Sequence, residues 1–411
     1  MKITLVCHDI PYPPNHGARV DMWRRIKAFS CLGAKLQLIC WFNDPPKDEE
    51  VAEIKKYVRQ VYFIPLKHTL ISLLFRMTDL PFYPLEVTSR ILRGKNFSTL
   101  LSDVCAFTPD VVFLDGIHGG EVAAKLSKHL NVPMVTRSHN IEHLYYRRLL
   151  TSATGLSKLK RYLSLTNLES YEKYLLKNSA FFFDISADDL KFWKTQGFTN
   201  GRYLPPIVEF PEGKRLEKSC DELSTMPVYD ILFLGNLCTN NNVAGIIWFI
   251  TQVMPIIRSA FPTVTVLIAG SNPVKKVRQL CEEQEGIHLS INPVSSMEVY
   301  KSGRVLINPV STGSGVSIKS LEMLVSGRPI VSKPQGIAGL PEDIKQYFKI
   351  AADAPSFGAA IIKLLSNYQT INVEQKLLES LFGFKKIEGV MSEMKSLATK
   401  DDEVYENSRG N

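Results

Sequence analysis

The sequence contains no Cys-x-x-Cys pair. Its seven cysteines, an odd number, are scattered at Cys7, Cys31, Cys40, Cys105, Cys220, Cys238 and Cys281. Neither a disulfide framework nor a structural zinc site is indicated, and the thiols read as reduced core filler of a cytosolic chain. A Gly-x-Gly-x-x-Gly turn is missing from the first loop of each half, which argues against nicotinamide or flavin chemistry. A Walker-type Gly-Lys-Ser/Thr is missing too, and no segment is low in complexity or repeats with a short period. Long apolar runs are also lacking. Leu70 to Leu85 is interrupted by Arg76, Asp79 and Pro81, and Gly245 to Ile257 by Gln252 and Pro255. Neither reaches the ~20 residues that span a bilayer, so the chain is expected not to cross a membrane. Residues 1–9 read as a first strand running into prolines, without the cleavage site of a signal peptide.

What is present suits a packed protein of two domains. The 411 residues exceed one ordinary core, and 45% hydrophobic with 22% charged residues is a globular composition. The net charge of +8 is a moderate excess that suits nucleic acid, an anionic membrane surface or a phosphate-bearing substrate without choosing among them. Locally, Arg147, Arg148, Lys158, Lys160 and Arg161 alternate with Leu149, Leu150, Leu156, Leu159, Tyr162 and Leu163. Such a mixture fits a lipid interface, and equally a solvated helix face.

Strand and helix patterns alternate along both halves, the signature of parallel strands joined by crossover helices. In the first half the predicted strands are Ile3 to Cys7, Lys35 to Trp41, Val61 to Ile64, Val111 to Leu114, Val132 to Thr136, Ala180 to Ile185 and Tyr203 to Pro206. Helices are predicted from Ala18 to Leu32, after Gly120, over Leu156 to Leu176 and over Ala187 to Thr195. In the second half, strands are predicted at Ile231 to Leu234, Val264 to Ala269, His288 to Ile291, Val305 to Ile307 and Pro329 to Ser332. A helix from Gly315 to Val325 precedes the last of these. The expected division is 1–205 as a Rossmann-like acceptor-binding domain, 206–228 as a linker, and 229–375 as a second Rossmann-like, donor-binding domain. Residues 376–398 are expected to be helical and to pack back on the first domain, ahead of a polar tail, 399–411.

In open α/β sheets ligands collect where the strands end, so the loops after strands carry the functional reading. After the first strand, Gly17 opens a helix whose free N–H groups favour phosphate, although such a glycine is often only a turn. Asp9 and His8 precede it. After the first strand of the second half, Gly235 and Asn236 either offer backbone N–H groups to phosphate or make a tight turn. The most informative stretch is Pro309 to Val331, which reads as strand, glycine-rich turn, helix, strand. In that helix Ile318, Leu321, Leu324 and Val325 form the expected packing stripe, leaving Lys319 and Glu322 on another face. Ser314, Gly315, Lys319 and the helix dipole suit a diphosphate, and the Glu322 carboxylate suits a ribose diol. The alternative is an exposed lysine–glutamate pair.

This segment resembles the donor-site motif of glycosyltransferase family 4, retaining enzymes of the two-domain GT-B fold. Ser138-His139-Asn140-Ile141-Glu142 with Tyr145 and Arg147, Tyr171 to Lys177, and Phe233 to Leu237 with Asn242 resemble members acting on bacterial surface polysaccharides. The resemblance implies an α/β architecture of two doubly wound Rossmann-like domains facing a central cleft. It also implies transfer of a hexose-like sugar from a nucleotide-diphosphate donor to a glycan or lipid-linked acceptor, with no cofactor, metal or nucleic acid. His139, Lys319 and Glu322 are the catalytic candidates. Gly17, Gly235, Asn236, Ser314, Gly315, Lys319 and Glu322 are candidates for the donor, and Asp9, Asn140 and Glu142 for the acceptor. A base-reading loop is expected near Asn292 to Ser295. The implied location is cytoplasmic, at the inner face of the membrane. Two departures stand out: Ser314 occupies the place of the family's first glutamate, and the Asn240-Asn241-Asn242 region replaces its basic pair, which leaves Lys319 as the candidate cation. A nucleotide-sugar epimerase of the same architecture and a non-catalytic nucleotide-sugar binder remain open as alternatives.

Overall fold

The structure is a computed structural model that describes all residues except 68, 152, 211–227, 313, 314, 410 and 411, and the side chains of 398–409 are likewise outside it. Most of the expected linker therefore lies outside the described residues. The chain divides into two units, residues 1–207 with 384–411, and residues 208–383.

The first unit is built on seven parallel strands: β1 (Lys2–Cys7), β2 (Lys35–Phe42), β3 (Gln60–Pro65), β4 (Val111–Asp115), β5 (Met134–Ser138), β6 (Phe181–Asp184) and β7 (Gly201–Tyr203). They lie in the order β3-β2-β1-β4-β5-β6-β7. Apolar residues run almost continuously along the inner strands because both faces of a parallel sheet are covered. Successive residues consequently serve different cores. Leu5 and Phe113 pack with Phe29 and Trp23 on one side, while Val6, Val112 and Leu114 pack with Trp41 and Leu175 on the other. The C-terminal helix, Lys385–Arg409, contributes Ile387, Val390, Met391 and Met394 to the first of these cores. Their spacing is one helical face. The backbone of this helix runs through most of the segment expected as a polar tail.

The second unit holds β8 (Tyr229–Leu234), β9 (Val266–Gly270), β10 (Ile287–Ile291), β11 (Gly303–Asn308), β12 (Ile330–Ser332) and β13 (Phe348–Ile350), in the order β10-β9-β8-β11-β12-β13. This is the same doubly wound pattern as in the first unit. The helical stretch Asn240–Ala260 is long and apolar enough to cross a membrane. Ile246, Phe249, Ile250, Val253, Met254 and Ile257 nevertheless lie in the core of this sheet.

Three helical expectations change. The helix predicted over Leu156 to Leu176 is two, Gly155–Leu165 and Leu168–Asn178, because Asn167 takes a left-handed φ of 58° and its amide donates to the Leu80 and Pro81 carbonyls. The helix predicted from Gly315 begins at Ile318, since Gly315 has φ 68° and Ser317 is the residue before the first turn. Its buried side chains are Ser320, Leu321, Met323 and Leu324, so Ile318 and Val325 lie at the margin of the packed stripe.

Candidate functional site

In each sheet the strand order reverses once, between β1 and β4 and between β8 and β11, and the loops leaving these strands collect the polar side chains.

In the first unit a fully buried charge network lies under the switch point. Arg25 donates to Asp21 at 2.8 Å and to Asp115 at 2.6 Å, and Arg137 donates to Asp21 at 3.1 Å. Two guanidinium groups between two carboxylates balance the charge that burial would otherwise penalise. His139, at the end of β5, stands over this network with Nε2 2.6 Å from Asp115 Oδ1 and Nδ1 3.9 Å from Asp21. Arg25 and His139 hold the Asp115 carboxyl well below its ordinary value against the opposing effect of burial.

Two further histidines adjoin His139. The ring centroids of His8 and His139 are 5.9 Å apart, and those of His8 and His118 are 5.6 Å apart. Gly116, with φ 79°, leaves room for the cluster, because a Cβ there would come within 2.6 Å of His8 Nδ1. Burial lowers His8 to about 4, and the neighbouring His139 and Arg90 push the same way. His8 is therefore neutral near pH 7, and its Nδ1, 3.2 Å from the Asp115 carbonyl, carries the proton as donor. That tautomer leaves Nε2 as an acceptor. Arg90 donates to the His8 carbonyl at 3.1 and 3.2 Å, which fixes the loop.

His8 also lines a cavity of about 460 Å³ over the ends of β1 and β2, with Asp9, Arg19, Trp41, Asn43 and Arg90. Aromatic faces beside charged and amide groups suit a polyhydroxylated ligand. Asp9 accepts from Arg19 at 2.8 and 2.9 Å and from the Ile10 N–H at 2.8 Å, so its carboxylate shapes the cavity wall. Gly17 is exposed at the start of the helix Gly17–Cys31.

Asn140, on the loop after β5, and Glu142, at the start of the helix that follows, do not line the cavity. The buried Glu172 carboxylate accepts from the Glu142 N–H at 2.8 Å and from His143 Nδ1 at 2.6 Å, capping the start of the helix Glu142–Thr151. Beside that carboxylate, and buried, Glu142 is pushed up to about 8 and is mostly protonated at neutral pH.

In the second unit, Asn308 at the end of β11 donates to Ser320 at 2.9 Å, and Ser320 donates to the Gly336 carbonyl at 2.6 Å. These bonds pin the first turn of the helix Ile318–Val325 to the sheet. Lys319 donates to Asn242 Oδ1 at 2.9 Å and lies 4.7 Å from the centre of the Phe233 ring. Burial lowers its ammonium to about 7. Asn242 in turn donates to the Asn236 carbonyl at 2.8 Å. Glu322, one helical turn after Lys319, accepts from the Tyr300 hydroxyl at 3.4 Å and is partly exposed.

The expected phosphate-binding amide of Gly235 is already committed, since its N–H donates to the Ala269 carbonyl at 3.1 Å. The tight-turn alternative accounts for it: Gly270 packs so closely that a Cβ there would fall 1.6 Å from the Gly235 carbonyl oxygen. Ser314 lies outside the described residues. Gly315 is partly exposed just before the helix. Asn292 begins an exposed loop in which the Val294 side chain is fully exposed.

Of the sequence candidates, the fold thus brings Lys319, Asn242 and Asn236 into one hydrogen-bonded chain and sets His139 on Asp115. The residues missed from sequence are Asp21, Arg25, Asp115, Arg137 and His118. Only the i, i+4 spacing of Asp21 and Arg25 on one helix face offered a local signal. Among the described residues, no group of three or more His, Cys, Asp or Glu side chains is arranged to hold a metal ion.

Residues 228–367 match the family described as Glycosyl transferases group 1. A 44.6 kDa protein in the cps region of Klebsiella pneumoniae is 25% identical over 89% of this chain and 91% of its own length. The structure of Anabaena Alr3699/HepE in complex with UDP and glucose superposes with a TM-score of 0.60, at 12% identity, over 96% of this chain and 99% of that one. WaaG, a glycosyltransferase involved in lipopolysaccharide biosynthesis, superposes with a TM-score of 0.57 at 13% identity, over 98% of this chain and 99% of its own. For Staphylococcus aureus TarM, in a complex that includes UDP, the TM-score is 0.59 at 12% identity, over 97% of this chain and 98% of that one. The chain therefore has the GT-B fold of two Rossmann-like domains, and the match to the glycosyl transferases group 1 family lies within its second unit.

Proposed function

We propose that this protein is a glycosyltransferase of the family 4 type that moves a hexose-like sugar from a nucleotide-diphosphate donor to a glycan or glycolipid acceptor in polysaccharide biosynthesis. The observation that carries the reading is the Lys319 site. A cation and the first turn of a helix meet at the switch point of a sheet whose sequence matches the group 1 glycosyl transferases. Lys319 would neutralise the diphosphate as charge develops on the leaving oxygens, and Glu322 would hold the ribose diol.

Transfer is read as retaining and independent of metal. The glycosidic bond to the diphosphate breaks, the acceptor hydroxyl bonds to the anomeric carbon on the same face, and its proton passes to the departing phosphate. This needs no dedicated base, in keeping with a His139 whose Nε2 is bonded to Asp115. On this reading His139 lies by the transferred sugar, and the cavity beside His8 and Asp9 receives the acceptor. The cytoplasm, at the inner face of the membrane, is the proposed location, and the free thiols among the described residues suit it.

The test is a panel of nucleotide sugars. UDP-sugars come first because HepE and TarM were solved with UDP. A donor that raises the melting temperature is then offered to lipid-linked and glycan acceptors. Sugar transfer with release of the nucleoside diphosphate supports the proposal. Interconversion of the donor sugar without acceptor would identify an epimerase, and binding without turnover on any acceptor a non-catalytic subunit.

A further inference from the structure

We propose that His8 is a specificity residue of the cavity over β1 and β2, its Nε2 accepting a hydrogen bond from a non-reacting hydroxyl of a pyranoside bound there. The inference rests on the reading of that cavity as the acceptor site and deepens it by naming the atom that recognises the sugar. Strand register places the ring. Cys7 and Asp115 are partners in the parallel pairing of β1 with β4, so His8, one residue on, leaves the sheet beside the Asp115 carbonyl. Gly116, with φ 79°, supplies the room, since a Cβ there would strike the imidazole.

That carbonyl then fixes the tautomer. A carbonyl oxygen only accepts, and it lies 3.2 Å from Nδ1, so Nδ1 carries the proton and Nε2 a bare lone pair. Burial opposes a charge on the ring, and His139 and Arg90 beside it add to that effect against the pull of Asp115. Nε2 has no hydrogen-bond partner among the described residues. Nor is it sealed in, because the unpartnered polar atoms that are wholly enclosed belong to other residues. A half-buried histidine that lines a cavity with one unused ring nitrogen is built to take a proton donor from a ligand.

The rest of the wall suits a sugar. Tyr12 and Trp41 supply aromatic surface for the C–H side of a pyranose, and Tyr12 is steadied by Trp23, whose ring centroid is 5.1 Å away. Arg19, donating to Asp9 at 2.8 and 2.9 Å, adds fixed donors and acceptors for hydroxyl groups. Transfer sends the proton of the reacting hydroxyl to the departing phosphate, so the hydroxyl that donates to His8 is a neighbour on the same sugar. A sugar that lacks this hydroxyl, or carries it methylated, leaves Nε2 without its partner once water is displaced and is selected against.

The test uses nuclear magnetic resonance of the full chain, labelled at its histidine ring nitrogens, with the methyl glycosides of glucose, galactose and mannose as probes. In the wild type the His8 ring should show a protonated Nδ1 and a bare Nε2, and one of the glycosides should shift the Nε2 signal upfield as it donates its hydrogen bond. Two variants separate recognition from a structural role. His8→Asn keeps an N–H in the place of Nδ1 and has nothing at Nε2, whereas His8→Gln sets an amide oxygen near Nε2. In saturation-transfer titrations His8→Asn should bind the glycoside about tenfold more weakly and His8→Gln should recover part of the loss, while a structural role alone gives the reverse order. Melting temperatures verify the fold, and UDP affinity, measured by calorimetry, should be equal in all three proteins. A protonated Nε2, no glycoside that moves its signal, or a His8→Asn that binds as well as the wild type or as well as His8→Gln overturns the proposal. Glycoside binding through Nε2 without any affinity for UDP would instead remove the transferase reading and retain His8 as the residue that recognises the sugar.

Discussion

The amine of Lys319 donates to the side-chain oxygen of Asn242, 2.9 Å away. Asn242 lies in the region that replaces the basic pair of the pattern the sequence resembles, and Lys319 is the candidate replacement cation. Lys319 is held by an amide and has no carboxylate partner among the described residues, and burial lowers it to about 7.

A diphosphate bound at this amine would favour its charged form and raise its pKa. Nucleotide affinity should therefore be greatest below pH 7 and fall as the pH rises above it, with proton uptake on binding. Calorimetry in buffers of different ionisation enthalpy measures both. Lys319→Ala should weaken binding about 10- to 100-fold and abolish the pH dependence. Equal affinity in the variant would remove Lys319 from the site.

Glu322 is partly exposed and its bond to Tyr300 is long at 3.4 Å. Glu322→Ala should thus cost stability within about 1 kcal/mol while abolishing transfer. A melting curve and a transfer assay at saturating donor separate the two, and retained turnover would contradict the assignment.

Asp115 holds both Arg25 and His139, so Asp115→Asn leaves buried cations undercompensated and should cost about 3–5 kcal/mol in denaturant titration. The pH dependence follows from the depressed pKa. Its contribution is present above the unfolded value of about 3.8 and is lost as the pH falls through the lower folded value. Acid unfolding of the wild type should therefore carry a component that the variant lacks.

Glu142 behaves in the opposite sense. Its folded pKa of about 8 exceeds the unfolded 4.5, so its contribution is complete below about 4.5 and is lost as the pH rises through about 8. Glu142→Gln should flatten the decline in stability between pH 6 and 9, on the order of 1 kcal/mol or more. Melting temperatures across that range check it.

Much of the architecture was legible because parallel strands buried on both faces are short apolar runs bounded by polar turns. The helix Ala187–Thr195 has the bounds its pattern predicts. The break at Asn167 was not legible, since the leucine spacing continues across it and the bond that stabilises the left-handed turn is to carbonyls 86 and 87 residues away. That Lys319 and Glu322 share one short helix was readable from the local pattern. The commitment of the Gly235 amide to Ala269 was not, because it depends on which strand lies beside β8.

Local patterning determined the alternation of strand and helix, the turn at Gly315 and the placement of polar residues after strands, all properties of short-range sterics and side-chain period. Tertiary structure alone decided which charges meet. Asp115 and Arg25 are separated by 90 residues and Arg137 and Asp21 by 116, and only the strand order brings them together. It also decided that burial lowers the Lys319 ammonium to about 7, and that large apolar side chains of the helix Leu70–Asp79 face out. Burial and pairing depend on what the rest of the chain supplies around a group, and no window of sequence contains that.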